Sequence, residues 1–235
     1  MRGNDLRTFL FAKRKVLNNS QENIVPKTDV FGREDKMELR DKNGLTEEEF
    51  LARYDASKFE RPSVTVDIIL FRGDSVLLIR RAGHPSIGKL AFPGGFVDPN
   101  ETVEAAARRE LWEETHVRDI LCKQLPVQSR PDRDPRTRII TVPFLACMLD
   151  ETQEAKADDD ASEAKFWGVS AKDDGKIITF TLSREETSFS FEVERYTEEG
   201  MFPGVFSYRV VGGEPLAGDH GEILARAWDE KNRLG

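Results

Sequence analysis

The sequence has few cysteines and no long hydrophobic segment. Its 235 residues include two cysteines, Cys122 and Cys147. Both lie in apolar surroundings, which indicates buried thiols in a reducing compartment rather than disulfides. No apolar run reaches the roughly 20 residues that span a bilayer. The basic first segment also lacks the apolar centre and cleavage site of a signal peptide. We therefore expect a cytoplasmic protein with no membrane partner.

The sequence also lacks an excess of basic residues. Its 35 Lys and Arg residues are outnumbered by 43 Asp and Glu residues, which gives a formal net charge of −8. Phosphate backbones attract basic proteins, so this balance argues against nucleic acid as the main partner. The hydrophobic content of 38% supports a real core, and the length suits one domain with extensions.

The character of the chain changes near residue 58. Residues 1–57 are polar and rich in charge, so we expect an N-terminal extension that is only partly ordered. Residues 58–235 are expected to form one domain. It opens with two runs rich in β-branched residues, Ser63–Phe71 and Val76–Arg80, which are joined by a short polar turn at Gly73. Together they predict a β-hairpin.

The remainder of this domain predicts more strands and a last helix. Arg138–Leu149 is apolar enough for a long strand, and a short strand is expected to begin at Phe166. Alternating apolar and polar residues over about 176–211 predict a strand-rich elaboration. Residues 219–234 carry apolar side chains at helical spacing, including Trp228, and predict an amphipathic helix that closes the core. The expected fold class is α/β.

One charged stretch, Gly95–Val117, carries the strongest functional signal. It reads GFVDPNETVEAAARRELWEETHV. Residues 102–115 predict a helix, because alanine, leucine and long charged residues favour helix and Thr102 or the preceding Asn100 can cap its first turn. Its acidic residues recur at i, i+3 and i+4 and therefore share one helix face: Glu110, Glu113 and Glu114.

Three carboxylates on one helix face repel each other, and a divalent cation removes that repulsion. Ligation by oxygen alone suits a hard ion, Mg²⁺ or Mn²⁺, so we expect these glutamates to hold such a metal. Arg109 lies beside the same face and can orient a carboxylate. Gly94 and Gly95 allow a tight turn that brings backbone carbonyls towards a metal. The alternative interpretation is a solvated acidic helix face.

The stretch has the spacing of the Nudix box, G-x5-E-x7-R-E-U-x-E-E-x-G-U with U aliphatic, and the chain resembles Nudix hydrolases at this point. It departs from the box where His116 replaces the final glycine. Because that glycine serves a left-handed helix C-cap, the departure puts the helix end in question and not the chemistry. The box is carried here by Gly95, Glu101, Arg109, Glu110, Leu111, Glu113, Glu114 and Val117.

The resemblance implies both a fold and a reaction. The fold would be the Nudix α/β/α sandwich, a mixed sheet with the box helix on one side and the closing helix on the other. The reaction would be the metal-dependent hydrolysis of a nucleoside diphosphate derivative. The family also implies that the Gly95 carbonyl joins the three glutamates as a metal ligand. The residues expected to act in catalysis are Arg109, Glu110, Glu113 and Glu114.

Two further stretches narrow the choice of small-molecule substrate. KFERPSVTVDIILF before the box and RPDRDPRTRIITVPFLA after it resemble ADP-ribose pyrophosphatase-type members. ADP-ribose would give AMP and ribose 5-phosphate. NADH, another nucleotide sugar or a non-canonical NTP remain alternatives, although the NADH-hydrolase signature S-Q-P-W-P-F-P-x-S is absent. Dimers are frequent among similar pyrophosphatases, so a homodimer is compatible with the resemblance.

The rival hypothesis is a transcription regulator that senses ADP-ribose and binds DNA through a C-terminal winged helix. Related regulators share the RDPR-type loop. The intact box carboxylates count against this rival. So does the charge of the last segment, where Val169–Gly235 contains eight Lys and Arg against thirteen Asp and Glu, a poor electrostatic footprint for DNA.

Two loops after the box are further candidates. Four arginines in the first loop suit the recognition of phosphate, although pairing with Asp132 and Asp134 is an equally weighted alternative. They are Arg130, Arg133, Arg136 and Arg138. The second loop is acidic, and some family members place a water-activating carboxylate at about this point, although surface solvation is the favoured interpretation. Its carboxylates are Asp158, Asp159, Asp160 and Glu163.

Overall fold

A computed structural model describes residues 39–157, 161–213 and 216–234. These residues divide into two units, one that ends at Arg61 and one that begins at Pro62. In the smaller unit, helix α1 (Glu47–Arg53) begins at a capping box, in which the Thr46 side chain accepts a hydrogen bond from the backbone of Glu49 and the Glu49 side chain accepts one from the backbone of Thr46. The first 38 residues of the expected N-terminal extension lie outside the described part.

The larger unit is built on one mixed sheet of nine strands. Eight of them follow the order β4-β5-β1-β2-β6-β7-β8-β9, and β3 pairs with β2. Among the described strands, β1 and β5 pair in parallel, and every other pair is antiparallel. The strands are β1 (Ser63–Arg72), β2 (Ser75–Arg81), β3 (Leu90–Ala91), β4 (Ile120–Gln124), β5 (Ile139–Met148), β6 (Ala161–Asp173), β7 (Ile177–Arg184), β8 (Thr187–Tyr196) and β9 (Ser207–Gly212).

The predicted hairpin is confirmed and forms the centre of the sheet. β1 pairs with β2 with Phe71 opposite Val76, and Gly73 adopts a positive φ of 56° in the turn between them. The long strand β5 lies beside β1 over nine residue pairs. The strand expected to begin at Phe166 is instead the longer β6, which begins at Ala161. Backbone pairing with β2 on one side and with β7 on the other extends the strand well beyond the apolar pair Phe166 and Trp167.

Two helices cover the two faces of this sheet. Successive residues of β1 alternate between two hydrophobic clusters, as the period of a strand requires. Ile68 packs in the cluster that contains the residues of α2 (Val103–Thr115), whereas Ile69 packs in the cluster that contains the residues of α3 (His220–Leu234). The α/β/α sandwich expected from the sequence is therefore confirmed.

The strand-rich elaboration is confirmed as a continuation of the main sheet. β7, β8 and β9 extend it beyond β6, and the rings of Phe180 and Phe191 stack across the β7–β8 pair at 5.4 Å. The widened sheet gives α3 a longer surface to cover. Trp228 of α3 packs on Phe180 and Phe71, which confirms its assignment to the core.

The two cysteines are free, and both are half-buried rather than fully buried. Cys122 lies on β4 and Cys147 on the adjacent β5. Burial raises the pKa of both thiols above their ordinary value, so neither is activated as a nucleophile. Among the described helices, none has both the length and the apolar character needed to cross a membrane.

We predict that Leu224→Ala lowers the free energy of unfolding by about 2–5 kcal/mol, because it leaves a cavity at a fully buried position of α3. Urea denaturation monitored by circular dichroism measures the change. Asn232→Ala, at an exposed position of the same helix, is the matched control and should change stability by no more than about 0.5 kcal/mol. Equal stabilities of the two variants would contradict the packing described for α3.

Candidate active site

The box helix α2 has defined caps at both ends. The Thr102 hydroxyl accepts a hydrogen bond from the backbone N–H of Ala105 at the start. At the end, His116 adopts the left-handed conformation, with φ 57° and ψ 17°, and its ring contacts Trp112. His116 thus takes the backbone conformation that the box normally assigns to glycine, which is uncommon but allowed for histidine. The departure from the box leaves the helix end intact.

Arg109 connects the acidic residues of the box. Its guanidinium donates hydrogen bonds to Glu101 at 2.6 Å, to Glu110 at 2.8 Å and to Glu113 at 2.9 Å. It also donates to the backbone carbonyl of Phe96 at 2.9 Å. One side chain therefore holds three carboxylates of the box and the segment that follows Gly95, as expected of a residue that orients carboxylates.

The carboxylates differ in their environment. The hydrogen bond from Arg109 lowers the pKa of Glu101 below its ordinary value and in turn raises the pKa of Arg109. Burial raises the pKa of Glu110, and the hydrogen bond from Arg109 opposes that shift only in part. The ionised form of Glu110 is therefore poorly solvated, and a nearby cation would stabilise it.

Gly94 and Gly95 allow these carboxylates to approach the backbone. The N–H of Gly94 donates to Glu114 Oε2 at 2.9 Å. A Cβ atom at Gly95 would lie 2.5 Å from Glu110 Oε1, so a larger residue there would force this carboxylate to move away from the backbone. The Gly95 carbonyl accepts a hydrogen bond from Val66 of β1 at 2.9 Å and retains a second lone pair.

The donor set fits a hard divalent cation. It consists of oxygen atoms alone, and one of its carboxylates is poorly solvated and packed against a glycine. In the part of the chain that the structure describes, no three acidic, histidine or cysteine side chains converge closely enough to hold a metal ion. Instead, oxygens of Glu110 and Glu113 contact the guanidinium of Arg109, so a bound cation would compete with this arginine for them.

A cavity of about 600 Å³ opens beside the box helix, within the range of small-molecule sites. The box contributes Gly95, Arg109, Glu110 and Glu114 to its lining, and the loop between β2 and β3 contributes His84 and its neighbours. Glu113 lies outside the lining with its side chain about half exposed.

The arginine loop is only partly at the cavity. Arg133 and Arg136 belong to the lining, whereas Arg130 and Arg138 do not. Arg130 pairs with Asp132 and Glu222, and Arg138 donates to the Arg130 carbonyl. Arg136 pairs with Asp134 inside the loop, as the alternative interpretation expected, whereas Arg133 pairs with Asp219, outside the loop.

The Arg133–Asp219 pair is almost entirely buried. Two hydrogen bonds of 2.8 Å join the guanidinium to the carboxylate, and the two side chains are 6% and 4% exposed. Burial by itself would lower the pKa of Arg133, but the hydrogen bonds that it donates to Asp219 reverse this effect, and the pKa is raised. Arg136 makes a similar two-bond contact with Asp134 but is 44% exposed. Arg133 is therefore the more constrained of the two.

The cavity lining also contains polar residues that sequence reasoning does not single out, among them Asp67, Asp219 and His220. Asp67 accepts a hydrogen bond from Thr141 at 2.6 Å and lies 3.5 Å from His220 Nε2. A carboxylate inside the apolar run SVTVDIILF is the available signal, since a buried acid needs partners. For Asp219 and His220, the sequence pattern predicts only the start of a helix that packs on the core.

Among the described residues, the acidic loop that follows the arginine loop in the sequence contributes no side chain to the cavity lining. Glu163 forms ion pairs with Arg80 and Arg184 and is not part of the lining. The other three candidates, Asp158, Asp159 and Asp160, lie outside the described residues.

Comparisons with known proteins agree with this arrangement. The family description "NUDIX domain" matches residues 61–176. An ADP-ribose pyrophosphatase from Methanocaldococcus jannaschii is 43% identical over 122 residues, which are 50% of this chain and 71% of the relative. The "ADPR responsive transcriptional repressor NtrR" of Acinetobacter baylyi is 36% identical over 110 residues, 44% of each chain. A crystal structure of a MutT/nudix family protein from Enterococcus faecalis has a TM-score of 0.61 and 33% identity, and the match covers 80% of this chain and 70% of that one.

We predict that Arg133→Ala destabilises the fold by about 3–5 kcal/mol, because it leaves the buried carboxylate of Asp219 without its cation. Arg136→Ala, at the more exposed pair, should cost about 1 kcal/mol or less. Urea denaturation compares the two. The double variant Arg133→Ala/Asp219→Ala should recover part of the loss, since it removes the unpaired charge. If the two single variants are equally stable, the burial assigned to Arg133 is wrong.

Proposed function

The chain belongs to the Nudix family of pyrophosphohydrolases, and from this premise we propose that it hydrolyses ADP-ribose to AMP and ribose 5-phosphate. Nudix hydrolases generally use divalent metals, and we propose Mg²⁺ or Mn²⁺ here. The observation that carries the proposal is the packing of the poorly solvated Glu110 carboxylate against Gly95, with Glu114 on the N–H of Gly94. This places two box carboxylates at the glycine turn, inside the cavity lining.

Two observations support ADP-ribose as the substrate. The relative that is named an ADP-ribose pyrophosphatase is 43% identical over half of this chain. The cavity lining also combines acidic box residues, which suit a cation, with the partly exposed Arg136, whose guanidinium suits an anionic ligand.

We assign the roles of the residues as follows. Glu110, Glu113, Glu114 and the Gly95 carbonyl would hold the metal, which when bound neutralises charge on the diphosphate and activates water. Arg109 positions the carboxylates through its hydrogen bonds to Glu110 and Glu113. Water adds to one phosphorus, and the bridging P–O bond on that phosphorus breaks. Arg136 is the better candidate than Arg133 for a phosphate contact, since its side chain is partly exposed.

A second candidate is the ADP-ribose-sensing regulator, which the match to a transcriptional repressor favours. Against it stands the C-terminal region, in which the described residues after β6 form three further strands of the main sheet and the helix α3 packed on the core. No second helix is described there that could form a winged-helix pair. A gel-shift assay at low and moderate salt, with and without ADP-ribose, tests this candidate. Salt-sensitive binding to one DNA sequence over others would support it.

Several expectations stay predictions from the sequence: the cytoplasmic location, the absence of nucleic-acid and membrane partners, and the homodimer. The boundary between the N-terminal extension and the main domain, placed between residues 57 and 58, is also a prediction.

We predict that Glu113→Gln and Glu114→Gln each lower kcat by about two orders of magnitude or more, because each removes a charge proposed to hold the metal. Steady-state kinetics on the best substrate measure the loss. Glu104→Gln is the matched control, since Glu104 is an exposed residue on the first turn of the same helix, and it should retain normal turnover. Near-normal turnover of both box variants would refute the assignment of these carboxylates.

We also predict that ADP-ribose is cleaved in a panel that includes NADH, nucleotide sugars and non-canonical NTPs, each with Mg²⁺ and with Mn²⁺. In ¹⁸O-labelled water, the label should appear in one of the two phosphate-bearing products, which mass spectrometry detects. Label outside the phosphates would contradict attack at phosphorus. Failure on ADP-ribose together with efficient cleavage of another compound would overturn the substrate and leave the reaction class standing.

A further inference from the structure

The first residue of α3 contacts the segment that forms the glycine turn. The backbone N–H of Phe92 donates to His220 Nδ1 at 2.9 Å, across 128 residues of sequence. The two rings also stack, with centroids 5.2 Å apart and planes 10° from parallel. Phe92 is 2% exposed, so its N–H has little access to water and depends on this acceptor.

Strand β1 contacts the same segment through the backbone. The carbonyls of Pro93 and Gly95 accept hydrogen bonds from Ile68 and Val66 at 2.8 and 2.9 Å. The chain just before α3 also approaches β3, where the N–H of Ala217 donates to the Leu90 carbonyl at 2.8 Å. The backbone before α3 thus contacts β3, and the imidazole of His220 contacts Phe92, the residue that follows β3.

The surroundings of His220 determine its tautomer. Because Nδ1 accepts from the Phe92 N–H, the ring proton must lie on Nε2. Nε2 faces Asp67 Oδ1 at 3.5 Å, and the other oxygen of Asp67 accepts from Thr141. Asp67 follows Val66, whose N–H contacts the Gly95 carbonyl. Both ring nitrogens thus face groups that adjoin the glycine turn.

We propose that His220 is a positioning residue of the active site. Through Phe92 it holds the segment Phe92–Gly95 between β1 and α3, and so fixes the position of the Gly95 carbonyl relative to Glu110. This inference rests on the proposed function, in which that carbonyl and Glu110 hold a divalent cation. The closing helix then has a second role beyond covering the core, since its first residue supports the segment that carries the glycine turn.

Three substitutions separate positioning from packing. His220→Asn keeps an acceptor near the position of Nδ1 and loses the ring. His220→Phe keeps the ring that stacks on Phe92 and loses the acceptor. Ile223→Val, a fully buried residue one turn along α3, is the control for a general loss of core packing.

The test is Mn²⁺ binding without substrate, measured from the free-ion signal in electron paramagnetic resonance. We expect His220→Phe to weaken binding by about tenfold or more, as the loss of a residue that orients a metal site does. His220→Asn should remain within about threefold of the wild type, and Ile223→Val should be unchanged. In kinetics, His220→Phe should lower kcat while KM for the best substrate changes little.

The opposite pattern, with normal Mn²⁺ binding by His220→Phe and weak binding by His220→Asn, would overturn the proposal and assign His220 to packing. Unchanged binding by both variants would overturn it as well. Glu113→Gln is the reference for the proposed function. If the wild type binds Mn²⁺ and Glu113→Gln does not, the metal site stands whatever the His220 variants do. If the wild type does not bind Mn²⁺, the metal site fails and the inference about His220 fails with it.

Discussion

Repulsion between carboxylates on one helix face is the constraint on which the site depends. Glu110, Glu113 and Glu114 lie within five consecutive residues of α2, and α2 packs on the sheet through Ala106, Ala107 and Leu111. Arg109 relieves the repulsion in this structure by hydrogen-bonding to two of the three, and it also reaches Glu101.

The glycine turn connects this acidic face to the rest of the fold. Glycine at positions 94 and 95 lets the carboxylates of Glu114 and Glu110 approach the backbone. Strand β1 holds this segment through backbone hydrogen bonds to Pro93 and Gly95. His220, at the start of α3, accepts a hydrogen bond from Phe92. The geometry of the turn therefore depends on both layers of the sandwich, although its sequence is a short local run.

Pairs of buried charges give the cavity its polar lining. Arg133 and Asp219 neutralise each other with little exposure to solvent, and Asp67 lies nearby, 3.9 Å from Arg133. Such a pair contributes little net stability compared with apolar packing, but each member needs the other. The loop that carries Arg133 and the first turn of α3 are consequently held together, and the cavity wall is continuous between them.

Local patterns in the sequence were sufficient to predict α2, its acidic face, the β1–β2 hairpin and the packing of Trp228, because each depends on residues a few positions apart. The position of Arg133 and the roles of Asp67, Asp219 and His220 were decided by tertiary structure. Asp67 and His220 are separated by about two thirds of the chain, and their environment exists only when α3 lies against the sheet beside β3. The sequence by itself thus determined which helix carries the carboxylates. Only the fold decided which side chains surround them, because buried polar groups take the partners that packing brings within hydrogen-bond distance.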